Sequence, residues 1–411
     1  MSNEHLYPSA IVIVNGVTIS KGVLTGVSDE FIKNIQSYTI PNTVKKIGKN
    51  AFNRCVNLTQ ITFSEGLQYI DEKAFYLCKS LTTVKLPKSL VSIGDYAFAL
   101  CVKLQTVKIS NSVKEIGFNA FAMCSSLQSF SVGVSNNRYG ADDGCLIDNT
   151  KKTLLQYPIK REPNNNSYTI PSRITTIGPN AFRSCKTLKF VNLENVTIIQ
   201  DNAFAYCTNL VKVNKFDKVI TIGDTAFYKC MFLEGMVNIA AVKSIGIQAF
   251  CDCVKINSAG PLVVPATMNK IGEAAFFNCR SINRVLIYGG EIGDNAFACD
   301  SKIRFNKQPQ GKTLQRVLIG TNVSLGNGVF EKQTKLLSIF FYSIPTQAGS
   351  NDLINIYNLT SAFDKPSYKR LLKIYGPEPI INDLIFNHVF KSSSAEYENQ
   401  QIKNIRFYVA Y

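Results

Sequence analysis

Nine cysteines stand three residues behind a phenylalanine in the pattern Ala-Phe-x-x-Cys, and thiols are the strongest nucleophiles and softest metal ligands that this chain holds in number. They are Cys55, Cys78, Cys101, Cys124, Cys185, Cys207, Cys230, Cys253 and Cys279; Cys299 follows a contracted version, and only Cys145 and Cys251 fall outside the pattern. A catalytic thiol needs a base to draw off its proton. The two histidines, His5 and His388, lie near opposite ends with no oriented partner in sight, so no Cys-His or Ser-His-Asp arrangement is expected. Cys251-Asp252-Cys253 is too closely spaced for a zinc-finger site. Gly311-Lys312-Thr313 copies the end of a phosphate-binding loop, but Asn306 stands where that loop needs its first glycine. Asp142-Asp143 beside Gly144 reads as a turn rather than as paired catalytic carboxylates. The expectation is a chain with no catalytic centre, no metal and no cofactor.

What positions the thiols is a repeat. The phenylalanines Phe52, Phe75, Phe98 and Phe121 keep a period of 23 residues, and Phe182, Phe204, Phe227, Phe250 and Phe276 follow at 22, 23, 23 and 26. Such a period means stacked units that bury a continuous core only together. A residue type fixed at one repeat position becomes a column, and stacked side chains point the same way, whereas a disulfide needs converging Cβ vectors. The cysteines therefore read as buried, reduced thiols used as small hydrophobes.

Within one unit, Leu58, Ile61 and Phe63 give the spacing L-x-x-I-x-F, whose last two residues alternate as a short half-buried strand does. A loop often opened by proline (Pro41, Pro87, Pro171, Pro265) ends the strand. Ile-Gly follows, as in Ile47-Gly48 and Ile93-Gly94, and the glycine is expected to supply a backbone angle that a side chain forbids; in the type unit Asp71 takes its place. Ala-Phe-x-x-Cys-x-x-Leu has near-helical spacing and predicts a single turn of helix or 3-10.

The frame YTIPNTVKKIGKNAFNRCVNLTQITF resembles the BspA-like, treponemal-type leucine-rich-repeat family, and the resemblance covers most of residues 37–344. It implies a right-handed solenoid with a parallel β-sheet on one face and short helical or 3-10 turns opposite. It also implies adhesion or host-matrix binding for exported members. Five segments are expected: a capping segment 1–36, a first repeat block 37–132, an insertion unit 133–166, a second block 167–344 and a degenerate tail 345–411. The insert carries Asp143-Gly144 between apolar flanks and predicts a hairpin-like excursion, with Arg161 to Asn166 as its polar loop. In the tail, Val329-Phe330, Ala362-Phe363 and Val389-Phe390 read as turn remnants without the cysteine.

In a strand of the form L-x-x-I-x-F, the residues flanking the isoleucine face outward. The two outward columns are nearly free of acids. They carry Lys85, Lys108 and Lys212 early, then Arg284, Leu286, Arg316, Leu318, Phe340 and Arg406 in the second half. Ser338 is expected outward as well. Apolar residues beside arginine resemble an interface core. The net charge of +16 biases association toward acidic partners, so a protein partner with an acidic surface is expected. An acidic polymer such as a cytoskeletal filament is a second possibility. Nucleic acid is a third, disfavoured because there is no Trp and no compact basic-aromatic cluster. The N-terminus opens polar, without the basic and apolar regions of a signal peptide, and no apolar run is long enough to span a bilayer. These features and the thiol column point to a cytoplasmic protein, with the cell surface reached by unconventional export as the alternative.

Overall fold

The computed structural model of the protein describes residues 12–14, 16–235, 238–256, 260–299, 314–331, 333, 336–341, 372–376 and 405–409. The expected remnants Ala362-Phe363 and Val389-Phe390, and both histidines, lie outside the described residues. The fold is a β-solenoid of stacked coils, and it divides into two compact units: residues 1–164 with 176–187, and residues 165–175 with 188–411.

Each coil of the first unit contributes to three rows. The L-x-x-I-x-F segments form one parallel row, pairing Ser37–Thr39 with Gln60–Thr62, and Thr83–Lys85 with Thr106–Ile109 and Ser129–Val132. The residue pairs ending in the Ile-Gly isoleucine form a second parallel row, running Val23–Val27, Lys46–Ile47, Tyr69–Ile70, Ser92–Ile93, Glu115–Ile116. This second ladder adds to the single sheet face expected from the strand spacing. Two residues per coil are too short to show a period-2 alternation in sequence. The third row is the Ala-Phe-x-x-Cys turn.

The turn is bonded from residue i to i+3, with Ala51 N–H to Gly48 O at 3.2 Å, Asn53 N–H to Asn50 O at 2.9 Å and Cys55 N–H to Phe52 O at 3.2 Å. It does not wind on as a helix because Asn50 (φ 58°) and Arg54 (φ 64°) are left-handed. The alternation aims every second N–H along the stack instead. Asn50, Phe52 and Arg54 donate to Glu72, Ala74 and Tyr76 of the next coil at 3.0, 2.7 and 2.8 Å. Left-handed backbone at a non-glycine residue costs about 1–3 kcal/mol, and inter-coil hydrogen bonds in an otherwise buried row offset it.

The expected role of the Ile-Gly glycines is corrected. Gly48, Gly94, Gly117, Gly178, Gly223, Gly246, Gly272 and Gly293 are absent from the left-handed residues, and so is Asp71. What they supply is clearance. A Cβ on Gly94 would lie 2.6 Å from the Asp71 carbonyl carbon, and one on Gly246 would lie 2.5 Å from the Asp224 nitrogen. At Gly94, Gly117 and Gly246 the backbones of successive coils approach too closely for a Cβ, whereas the coils that carry Asp71 and Gln200 at this corner admit a side chain.

The core is a set of columns. In the first unit Phe52, Phe75, Phe98 and Phe121 stack with centroids 5.0, 5.0 and 5.5 Å apart and rings within 4° of parallel. In the second unit Phe204, Phe227, Phe250, Phe276 and Phe297 stack at 5.1, 5.1, 5.1 and 5.3 Å with rings within 8° of parallel. Phe330 extends that stack at 6.0 Å, as expected of a turn remnant. The N-terminal end of the first unit is covered by the helix Asp29–Asn34, whose Phe31 packs edge-on to Tyr38 and against Phe52. Ser28 caps that helix, its Oγ accepting from Phe31 N–H at 3.2 Å.

The insert is a meander. Tyr139–Asp142 and Cys145–Asp148 pair antiparallel across Asp143-Gly144, and Thr153–Gln156 returns to pair in parallel with Thr176–Ile177. Arg161 is no free loop residue: its guanidinium pairs with Asp143 and lies over the Tyr157 ring. Buried Asp148 ties the meander together, accepting from Thr150 Oγ1 at 2.7 Å, Lys151 N–H at 3.0 Å and Arg138 Nε at 3.2 Å. Burial pushes this carboxyl up, but the three donors together hold it below its ordinary value.

Candidate functional site

The thiols lie in the interior of the solenoid. All twelve cysteines are buried thiols outside any disulfide. Along the turn row Sγ atoms donate to the carbonyl of the phenylalanine one coil earlier: Cys78 to Phe52, Cys101 to Phe75 and Cys124 to Phe98 at 3.2 Å, then Cys230 to Phe204 at 3.1 Å, Cys253 to Phe227 at 3.0 Å and Cys279 to Phe250 at 3.1 Å, while Cys185 Sγ lies 3.4 Å from Thr187 Oγ1. The residue thus satisfies a carbonyl as well as filling space, which explains cysteine where alanine or valine would pack. Burial pushes the Cys55, Cys124 and Cys251 thiols up to about 12 and those of Cys78 and Cys101 well above the ordinary value. Reactivity belongs to the thiolate. Iodoacetamide near pH ~8.5, where an exposed thiol is half ionised, is therefore expected to leave the column unmodified in the folded protein and to label it in denaturant. Steady labelling without denaturant, read by mass spectrometry, would contradict this burial. Among the described residues no group of three or more His, Cys, Asp or Glu side chains could hold a metal ion.

The outward side of the first strand row is where exposed side chains accumulate. Lys85 and Lys108 are exposed and in register with each other in the first unit. Like charges so placed are destabilising. Lys212 is exposed in the second unit but stands beside Phe190 and apart from the later arginines.

In the second unit the alternation of Arg284–Ile292 and Arg316–Leu325 assembles a continuous patch. Register places Val263 beside Leu286, Leu286 beside Leu318 and Leu318 beside Phe340. Two residues earlier on each strand, Arg284 stands beside Arg316. Val263 is 40% exposed and Phe340 38%, Leu286 and Leu318 are half-buried, and both arginines are exposed. An apolar row therefore runs along the stack with a basic row beside it. Ser338, in register beyond Arg316, lies on the outward side but is buried, at 7% exposed. Backbone register continues the rows: Lys373 lies beside Ser338 and Arg406 beside Lys373, while Tyr375 lies beside Phe340 and Tyr408 beside Tyr375.

One contributor is missing from the sequence reading. Tyr288 is half-buried on the outward side, next after Leu286, because Arg284–Ile292 runs on past the expected strand end. The sequence signal is weak, because Val285-Leu286-Ile287-Tyr288 is a continuous apolar run in which only burial, not residue type, alternates.

The model of the BspA type leucine-rich repeat region matches this chain in six copies, over residues 30–142, 152–283 and 243–373. The chain belongs to the BspA-type leucine-rich-repeat family. Solved structures agree on the fold. A leucine-rich-repeat protein from Eubacterium ventriosum is 19% identical with a TM-score of 0.59, over 83% of this chain and 98% of its own. The pneumococcal vaccine antigen PcpA is 17% identical with a TM-score of 0.51, over 98% of this chain and 99% of its own. No curated protein is similar enough to count as a relative. Among the described residues no helix is long and apolar enough to cross a membrane.

Proposed function

We propose that this BspA-type repeat scaffold is a non-enzymatic binding protein that holds a partner protein on the outward side of its first strand row. The contact centres on Arg284, Leu286, Arg316, Leu318 and Phe340. The observation that carries the reading is the register: exposed apolar side chains adjoin one another over successive coils, with arginines alongside. Contiguous apolar exposure is rare on monomeric surfaces unless something covers it, and apolar residues with arginine are the composition of contact cores. An enzyme would need a pocket with converging titratable groups, and the patch is an open strand face.

The experiment is affinity capture with the full chain and with an Arg316→Glu, Leu318→Asp double variant. A partner retained by the first and lost from the second supports the reading. An unchanged partner set removes it. Salt separates this contact from a polyanion held by Lys85 and Lys108. Nucleic-acid binding through several phosphate contacts falls by about 10³–10⁵ between 50 and 200 mM salt, whereas an apolar ladder keeps its partner. Surface labelling of intact cells separates a scaffold inside the cell from an adhesin. Thiols buried as deeply as these are shielded from oxidants in either place.

A further inference from the structure

We infer that the occupant of the ladder is an amphipathic α-helix with acids along one flank only, laid along the stacking direction across the strands. The inference rests on the reading of this face as a protein contact. It follows from spacing and from charge.

Adjacent strands in a sheet are about 4.8 Å apart, so the apolar row offers a side chain at that interval. A helix presents its apolar seam every 3.5 residues at a rise of 1.5 Å, or about 5.2 Å. Over the three steps from Val263 to Phe340 the mismatch accumulates to only about 1.2 Å. An extended peptide repeats its same-face side chains every ~6.8 Å and slips more than a whole rung over the same distance. A strand pairing edge-on is unsuited too, since Arg284–Ile292, Arg316–Leu325 and Ser338–Phe341 already have neighbours on both sides.

Charge then sets the helix's sidedness. Arg284 and Arg316 lie on one side of the apolar row. On the other side stand Tyr288 and Gly320, neither charged, and Gly320 has backbone of the Tyr288 coil 3.3 Å from where its Cβ would be. Acids on the arginine flank would be paired, whereas acids on the opposite flank would meet an aromatic ring and a buried glycine, which offer no positive charge. Lys373 and Arg406 hold the backbone register positions that follow Ser338 along this row. Four rungs span about 14 Å, or some ten helical residues, and the six rungs to Tyr408 span about 24 Å, or some sixteen.

The test is fluorescence anisotropy on the full chain with a panel of labelled peptides about 18 residues long, enough to cover six rungs. They carry Leu, Ile, Phe or Met seams and Glu along one flank. At least one seam is expected to bind, to lose about tenfold or more against Arg316→Glu, and to lose as much when a central proline breaks the helix. A peptide with Lys in place of Glu is expected to bind the Arg284→Glu, Arg316→Glu variant better than the unsubstituted chain. That reversal also shows the variant to be folded. Equal binding of the proline peptide, failure of the reversal, or no binding by any seam overturns the inference. If no seam binds while the double variant still strips a partner in affinity capture, the helix is wrong and the face reading survives; if capture is also unchanged, both fall.

Discussion

Replacing Phe98 by alanine is expected to lower the unfolding free energy by about 3–5 kcal/mol, the usual range for removing a fully buried ring. Phe98 is 0% exposed and lies flat between Phe75 at 5.0 Å and Phe121 at 5.5 Å. Most cores soften such a loss by collapsing into the cavity. This one is held open on every side of the column. The strand Ser92–Ile93 is fixed by its neighbours, and Phe98 N–H donates to Ala120 O at 2.8 Å within the turn row. Coils therefore cannot draw together without breaking their ladders, and the upper part of the range is expected. In a quasi-one-dimensional array the damage is also local. Amide exchange should accelerate in the coils of the first unit adjoining Phe98 more than elsewhere. Phe118, 48% exposed on the same unit, is the control, and Phe118→Ala should stay within roughly 1 kcal/mol. A Phe98→Ala loss no larger than that of Phe118→Ala, by urea titration, would show that the column does not carry the core.

The contrast between those phenylalanines marks what the sequence makes legible. A column is announced by repetition, because the same inward position returns every 23 residues. Phe52 to Phe330, the cysteines and the strand isoleucines were all readable in this way. Relations between adjacent coils were not. The thiol-to-carbonyl bond of Cys101 to Phe75 joins positions 26 apart, and no periodicity distinguishes a donating thiol from a packed one. The left-handed positions flanking each repeat phenylalanine left a trace: Asn50, Asn119, Asn180, Asn202 and Asn295 all stand two residues before it. Asparagine tolerates that conformation better than most residues, but near-helical spacing of the apolar residues outweighed the hint. At the candidate site, the outward placement of Arg284, Leu286, Arg316, Leu318 and Phe340 was readable from alternation. Their assembly into adjoining rows depends on register across an irregular interval between repeats, which one strand's pattern does not contain. Ser338 shows the limit, since alternation alone cannot say that a small side chain in an outward position is buried.

Gly246→Ala is expected to destabilise by about 1–3 kcal/mol from overpacking, with about 1 kcal/mol more if the hydrogen bond beside it is lost. The added Cβ would meet Asp224 Oδ1 at 2.4 Å, Asp224 N at 2.5 Å and the Gly223 carbonyl carbon at 2.5 Å. Two of those three are backbone atoms of a coil held by its own ladder, so a rotamer change cannot relieve the clash. The third is the carboxylate oxygen that accepts Ile247 N–H at 2.7 Å, so moving it aside exposes a donor. The two possible reasons for glycine here predict different outcomes. Were it chosen for a left-handed angle, Gly246→Asn would be tolerated, because asparagine enters that region readily. Clearance between coils instead makes Asn at least as costly as Ala. It also means that Asp224→Ala in the Gly246→Ala background recovers little, since the backbone contacts persist. Gly26 supplies the reference. It lies in the strand Val23–Val27 with nothing within 4 Å of where its Cβ would be, so Gly26→Ala should be neutral or slightly stabilising. Thermal unfolding of these four variants decides the matter, and a well-tolerated Gly246→Asn would return the glycine column to a conformational role.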